Sequence, residues 1–172
     1  MRIRNIKKNR EKKGFTLIEV ITVLFVISLG MVGVLSLIVQ NIKSQSLNKN
    51  TLIAYQLAQE GVELIRQVRD SNWLKGESWR HELDRDIYYM DYLDNVPHEV
   101  LSMGHNHYQG ALEPDANGFY RNAPPSSKTS IFSRLIQLGV RNNGIIVTSR
   151  VYWTDHGREY VYSLEAMLYD WK

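Results

Sequence analysis

Cysteine is absent from the 172 residues. Its absence excludes disulfides, thiolate metal sites and cysteine nucleophiles, and leaves the redox compartment open. A domain outside the cytoplasm would have to fold without covalent staples. GxSxG, Walker-type and HExxH sequences are also missing, which removes the common hydrolase, nucleotide-binding and zinc-protease signatures. We therefore expect no enzyme, no catalytic residue and no cofactor. Internal repeats and low-complexity tracts are not apparent, and one domain is the default for a chain of this length, which is long enough to bury a core.

Charge is scarce in one place and concentrated beside it. Residues 1–14, MRIRNIKKNREKKG, hold seven basic side chains against Glu11 alone, a net +6. Positions 15 to 172 keep 14 basic and 17 acidic residues, a net −3, so the chain's pI of 9.1 describes its N-terminal tail. A basic surplus spread over the chain would suggest nucleic acid. Placed against an apolar run it reads as a topology signal, and no nucleic acid partner is expected.

That run is FTLIEVITVLFVISLGMVGVLSLIV, Phe15 to Val39, whose only charge is Glu19. Val20 to Val39 is uncharged over twenty residues, which at 1.5 Å per residue spans roughly the 30 Å hydrocarbon core of a bilayer. The basic leader, with only Lys43 and Lys49 following closely, places the N-terminus in the cytoplasm and the bulk of the chain outside. A conventional signal peptide fits poorly, because the run is too long and no small-x-small cleavage site follows it.

Beyond the span, NIKSQSLNKNTLIAYQLAQEGVELIRQVRDSNW has no proline and keeps an apolar seam at Leu47, Ala54, Ala58, Gly61, Ile65 and Val68, widened by Leu57 and Leu64. Those spacings mark one helix face. The expectation is a single helix from about Phe15 to Asp70, on the order of 80 Å long, half in lipid and half in water. Lys49, Gln56, Glu63 and Arg66 would stay wet. The small residues Ala54, Ala58 and Gly61 call for a closely packed cover. Residues 73 to 130 show weak patterning and turn formers in EPDANG and NAPPSSK. Three closing segments alternate as strands, at about 131–138, 145–153 and 159–169, with RNNG and TDHG as tight antiparallel turns. Phe132, Ile136 and Leu138 share a face with Arg134, and Trp153 and Leu164 are expected in the core. The fold class is α+β: one long N-terminal helix packed on a C-terminal antiparallel sheet. The domain reading is a leader over 1–14, a membrane half of the helix over 15–42, its amphipathic half over 43–72, and an extracytoplasmic head over 73–172.

A carboxylate within an apolar span costs roughly 2.5 to 3.5 kcal/mol on insertion scales, so Glu19 needs an explanation. Two readings are open: it snorkels to the cytoplasmic surface from only five residues into the run, or it is a lipid-buried counterion. Elsewhere, His105 and His107 sit two apart without an evident third ligand. Asp84, Asp86, Asp91 and Asp94 lack the pattern of a calcium loop. All six read as solvated loop residues, and no metal site is expected. Tyr88, Tyr89 and Tyr92 lie in the acidic stretch DRDIYYMDYLD, which disfavours polyanions.

The basic leader ending in Gly14, then Phe15-Thr16-Leu17-Ile18-Glu19-Val20 and a long apolar helix, resembles the type IV prepilin family of major pilins, minor pilins and secretion pseudopilins. KKGFTLIEV is the specific part, and the resemblance is strongest over residues 8 to 40. It implies cleavage by a prepilin peptidase between Gly14 and Phe15 and N-methylation of the new Phe15 amine. It also implies assembly through the helix with other pilin or pseudopilin subunits at an inner-membrane platform. In that scheme Glu19 is the counterion of a neighbouring subunit's Phe15 amine. ISLGMVGVLSLIVQ and AYQLAQEGVELIR are most similar to minor pilins and small type II secretion pseudopilins. Ser36 stands where major pilins commonly carry a helix-kinking proline.

Two functions follow as expectations. The first is a minor pilin or pseudopilin, a single-pass membrane protein that then enters a pilus or pseudopilus, with membrane lipid and the assembly machinery as its partners. The alternative is a signal-anchored protein whose extracytoplasmic head binds a ligand and never polymerises; GFTLIE separates the two, because a plain anchor has no reason to carry it.

Overall fold

The computed structural model describes residues 14–84, 86–100, 110–123, 130–141 and 144–170. Among these described residues one α-helix and seven strands follow in order: α1 (Leu17–Lys75), β1 (Ile87–Tyr89), β2 (His98–Glu99), β3 (Ala111–Pro114), β4 (Tyr120–Asn122), β5 (Phe132–Arg141), β6 (Gly144–Asp155) and β7 (Arg158–Tyr169). The architecture is α+β, a long N-terminal helix with an antiparallel sheet at the C-terminal end of the chain. Residues 1–44 and 45–172 form two compact units.

In the first unit every described residue is exposed. The apolar side chains of Val20 to Val39 are turned outward all round the helix, which is the pattern of a segment solvated by something other than water. Two of its hydroxyls are satisfied within the helix: Thr22 Oγ1 donates to Ile18 O at 2.6 Å and Ser28 Oγ to Leu24 O at 2.7 Å. Among the described residues α1 alone is long and apolar enough to cross a membrane.

The second unit begins inside α1, where the apolar seam goes under cover. Ala54, Leu57, Ala58, Gly61, Leu64, Ile65 and Val68 are all buried, and Leu47 is half-buried. The helix runs five residues past the expected Asp70. Asn72 Nδ2 donates to His81 O at 2.7 Å, and Gly76 takes the left-handed conformation (φ 76°) that ends the helix. Gly76 N then reaches Trp73 O at 3.1 Å and Glu77 N reaches Asn72 O at 2.9 Å, a Schellman ending.

The sheet is built on a meander. β5 pairs antiparallel with β6 from Phe132↔Trp153 to Arg141↔Gly144, and β6 with β7 from Gly144↔Tyr169 to Asp155↔Arg158. The β6–β7 hairpin turns on His156 (φ 48°) and Gly157 (φ 75°), two consecutive positive-φ residues as a two-residue hairpin requires. The other edge of β5 is shared by β1, at Tyr88↔Ile136, and β3, at Leu112↔Phe132. β1 to β4 are two to four residues each, the short elements of the weakly patterned middle region. The expected turn at Asn142 and Asn143 lies outside the described residues.

The sheet face of Phe132, Ile136, Ile145, Val147, Val151 and Trp153 buries the helix seam in two apolar clusters. Leu164, expected in the core, is only half-buried. It belongs to β7, and no strand among those described lies beyond β7 to close over it.

Candidate assembly segment and head anchor

The N-terminal segment is shaped by a local hydrogen bond that the apolar pattern does not reveal. Gly14, Phe15 and Thr16 precede the helix, and Thr16 caps it: its Oγ1 accepts from Glu19 N at 3.3 Å, and Thr16 O accepts from Val20 N at 3.2 Å. Thr16-Leu17-Ile18-Glu19 is thus a capping-box sequence with an acid in the first turn, where the helix dipole favours it. The cap was legible as Thr-x-x-Glu ahead of an apolar run. The bond engages the backbone amide of Glu19, so it does not decide between the two readings of its carboxylate. Phe15 is 84% exposed, and added Cβ atoms at Gly14, Gly30 and Gly33 would meet nothing within 4 Å. The junction proposed for cleavage and the glycines of the span are therefore sterically open.

The second cluster lies in the 45–172 unit, around Arg134. This side chain shares the core face of β5, as its alternation predicts, and is 1% exposed. Its guanidinium donates to Leu57 O of α1 at 2.9 Å, to Met90 O after β1 at 2.6 Å and to Glu60 Oε1 at 3.4 Å. Burial lowers its pKa, and the neighbouring Glu60 carboxylate works against that shift. Room for the side chain comes from Gly61. A Cβ there would fall inside the contact distance of Ser149 Oγ and lie 3.0 Å from Arg134 Cδ. Arg134 thus ties helix, sheet and loop with charged hydrogen bonds in a protein that has no disulfide to do so.

The loop that Arg134 grips is held by carboxylates. Asp91 accepts from Leu93 N at 2.8 Å and Asn122 N at 3.0 Å; Asp94 accepts from Asp91 N at 2.8 Å and Asn122 Nδ2 at 3.1 Å, and His98 Nε2 stands 3.1 Å from its other oxygen. In the β3–β4 turn, Asp115 accepts from Asn117 N at 2.8 Å, Phe119 N at 2.9 Å and the Tyr92 hydroxyl at 3.0 Å. Desolvation pushes Asp115 up, but those three donors together with the Arg121 charge hold the carboxyl below its ordinary value. The Tyr92 hydroxyl is raised by desolvation and by the same bond. The acids considered as calcium ligands are thus partly engaged as turn acceptors. Among the described residues no group of three or more His, Asp or Glu is placed to hold a metal ion. His105 and His107 lie outside the described residues.

A family model described as the prokaryotic N-terminal methylation motif matches residues 9–35. No curated protein and no solved structure matches the chain. The matched segment contains Gly14, Phe15, the Thr16 cap, Glu19 and most of the exposed apolar stretch that ends at Val39. Over that segment the chain is similar to type IV prepilins, carrying the methylation motif at the head of a helix long and apolar enough to cross a membrane.

Proposed function

We propose that the chain is a minor pilin or pseudopilin, a structural subunit of a type IV pilus-like or type II secretion filament. Prepilin peptidase cleaves it between Gly14 and Phe15, the Phe15 amine is methylated, and the subunit assembles through α1 with other pilin or pseudopilin subunits at an inner-membrane platform. Its N-terminus is cytoplasmic before assembly and its head extracytoplasmic. The observation that carries this reading is the division of one helix. Its first half bears the methylation motif and exposes apolar side chains on every side, while its second half is buried by a sheet. A subunit that is first held in lipid and then packs its helix among others needs that division.

Glu19 acts as the counterion of a neighbour's Phe15 amine. Each charge alone is heavily penalised in lipid, and bringing them together favours one register between subunits. The Thr16 cap makes the test sharper, because a glutamine at the third helical position still completes a capping box. The ratio of sheared filament to membrane protein should therefore fall for Glu19→Gln and Glu19→Ala, with Glu19→Asp partly active, while all insert normally. If the glutamine chain assembles like wild type, the counterion role is lost.

A further inference from the structure

Among the described strands β7 is a long edge, and its charged side chains are Arg158, Glu159 and Glu165. Its 12 residues, REYVYSLEAMLY, contain no proline and no lysine, and its pairing with β6 runs without a bulge from Asp155↔Arg158 to Gly144↔Tyr169. No other described strand pairs with it. The opposite side of the sheet ends in β2 and β4, only two and three residues long. A long edge without bulge or proline offers a row of backbone donors and acceptors to an extended chain.

Both faces of this edge are incompletely covered. On the core side Tyr160, Tyr162 and Leu164 are half-buried, and Tyr162 meets Tyr55 of α1 edge-on at 5.7 Å, with Tyr55 itself 38% exposed. On the outer side Val161, Met167 and Tyr169 are exposed, interleaved with Glu159 and Glu165 and with no cation on that face of the strand. Inward-pointing residues of an added strand would complete the aromatic cover, and its outward-pointing residues would stand opposite two glutamates.

We propose that β7 receives an extended segment of a different protein. The segment alternates apolar side chains toward Tyr160, Tyr162 and Leu164 with lysine or arginine toward Glu159 and Glu165. Backbone pairing would supply affinity, and the alternate side chains specificity. A second copy fits less well: its β7 brings the same two glutamates without a cation, and its other edge offers only the short β2 and β4. The site belongs to the head, so it stands or falls separately from the processing of the N-terminus.

The test places a photoreactive amino acid singly at Val161, Ser163, Glu165 and Met167 of the full-length chain, in the cells that make it natively, and maps the adducts. A docked strand predicts attachment points that step along one partner segment two residues for every two moved on β7, with a basic residue at the step facing Glu159 or Glu165. The double variant Glu159→Lys, Glu165→Lys should lower the Ser163 adduct yield about tenfold, the size of two cross-strand charge pairs lost and reversed. Absence of adducts at all four positions overturns the proposal. So do adducts scattered over unrelated segments, and so do adducts to the same chain or to another copy of it. Normal removal of residues 1–14 in those samples shows that such a failure concerns β7 and not the prepilin reading.

Discussion

Replacing Gly61 with alanine sets two physical effects against each other, and the structure says which wins. On an isolated helix the change is favourable by about 0.8 to 1 kcal/mol, because glycine has the larger backbone freedom to lose. Here the new methyl group would enter the space of Ser149 Oγ and press on Arg134 Cδ at 3.0 Å and Ser149 Cβ at 3.3 Å. Arg134 cannot swing away without breaking its bonds to Leu57 O and Met90 O. Overpacking of this kind costs typically about 1 to 3 kcal/mol and displaces charged hydrogen bonds as well, so the net effect of Gly61→Ala should be destabilising by roughly 1 to 3 kcal/mol. Ser149 provides the internal control, since its Oγ is buried without a hydrogen-bond partner. Ser149→Ala should be neutral or stabilising by up to about 1 kcal/mol, and it removes the atom closest to the new methyl. The double variant should therefore recover a large part of the loss, giving a coupling on the order of 1 kcal/mol or more. Urea unfolding of the full-length chain in detergent, followed by the fluorescence of its four tryptophans, of which Trp79 and Trp153 are buried, measures all four proteins. If Gly61→Ala alone raises stability by its helix-propensity gain, the helix and sheet are not in this contact and the packing argument fails.

Arg134→Met should cost about 1 to 3 kcal/mol by leaving Met90 O without its donor, and amide exchange should quicken at Leu93 and Asn122, the amides that Asp91 holds. Unchanged exchange there would show that Arg134 does not secure the loop. Asp115 has a folded-state pKa below its unfolded one, so its contribution is present at neutral pH and lost as the pH falls through the folded value. Exchange-corrected protection of the Asn117 and Phe119 amides should fall when the carboxyl protonates, and Asp115→Asn should remove that pH dependence. Gly14→Val, which puts a branched side chain at an otherwise open junction, should leave uncut precursor in the membrane; a normally shortened chain would exclude Gly14 as the cleavage position.

The seam from Ala54 to Val68 could be read directly, because burial on one helix face imposes its spacing on the sequence. The three long strands could be read for the same reason, by alternation. Edges are less legible. Leu164 alternates as a core residue, but its exposure is set by what lies beyond β7, which no local pattern encodes. The helix is expected to run to about Asp70 because nothing between Val39 and Asp70 forces a break. The ending actually depends on Gly76 and on Asn72 reaching His81 O, a polar contact outside the periodic signal. Arg134 could be assigned to a face but not to its partners, since Leu57 and Met90 are brought to it only by the fold. At the N-terminus the balance reverses. Gly14, Phe15 and Glu19 are legible as a motif, and the structure of one chain adds the Thr16 cap, while the partners the motif implies belong to other molecules.

The central claim is that prepilin processing makes the modified Phe15 the first residue of the mature chain, two residues ahead of the helix. Intact-mass measurement of the protein extracted from native membranes, with fragmentation of its first residues, tests it most directly. The account predicts a chain that lacks residues 1–14 and starts at Phe15 with one methyl group on its amine. A mature protein that retains Met1 to Gly14, or begins after Val39, would contradict it.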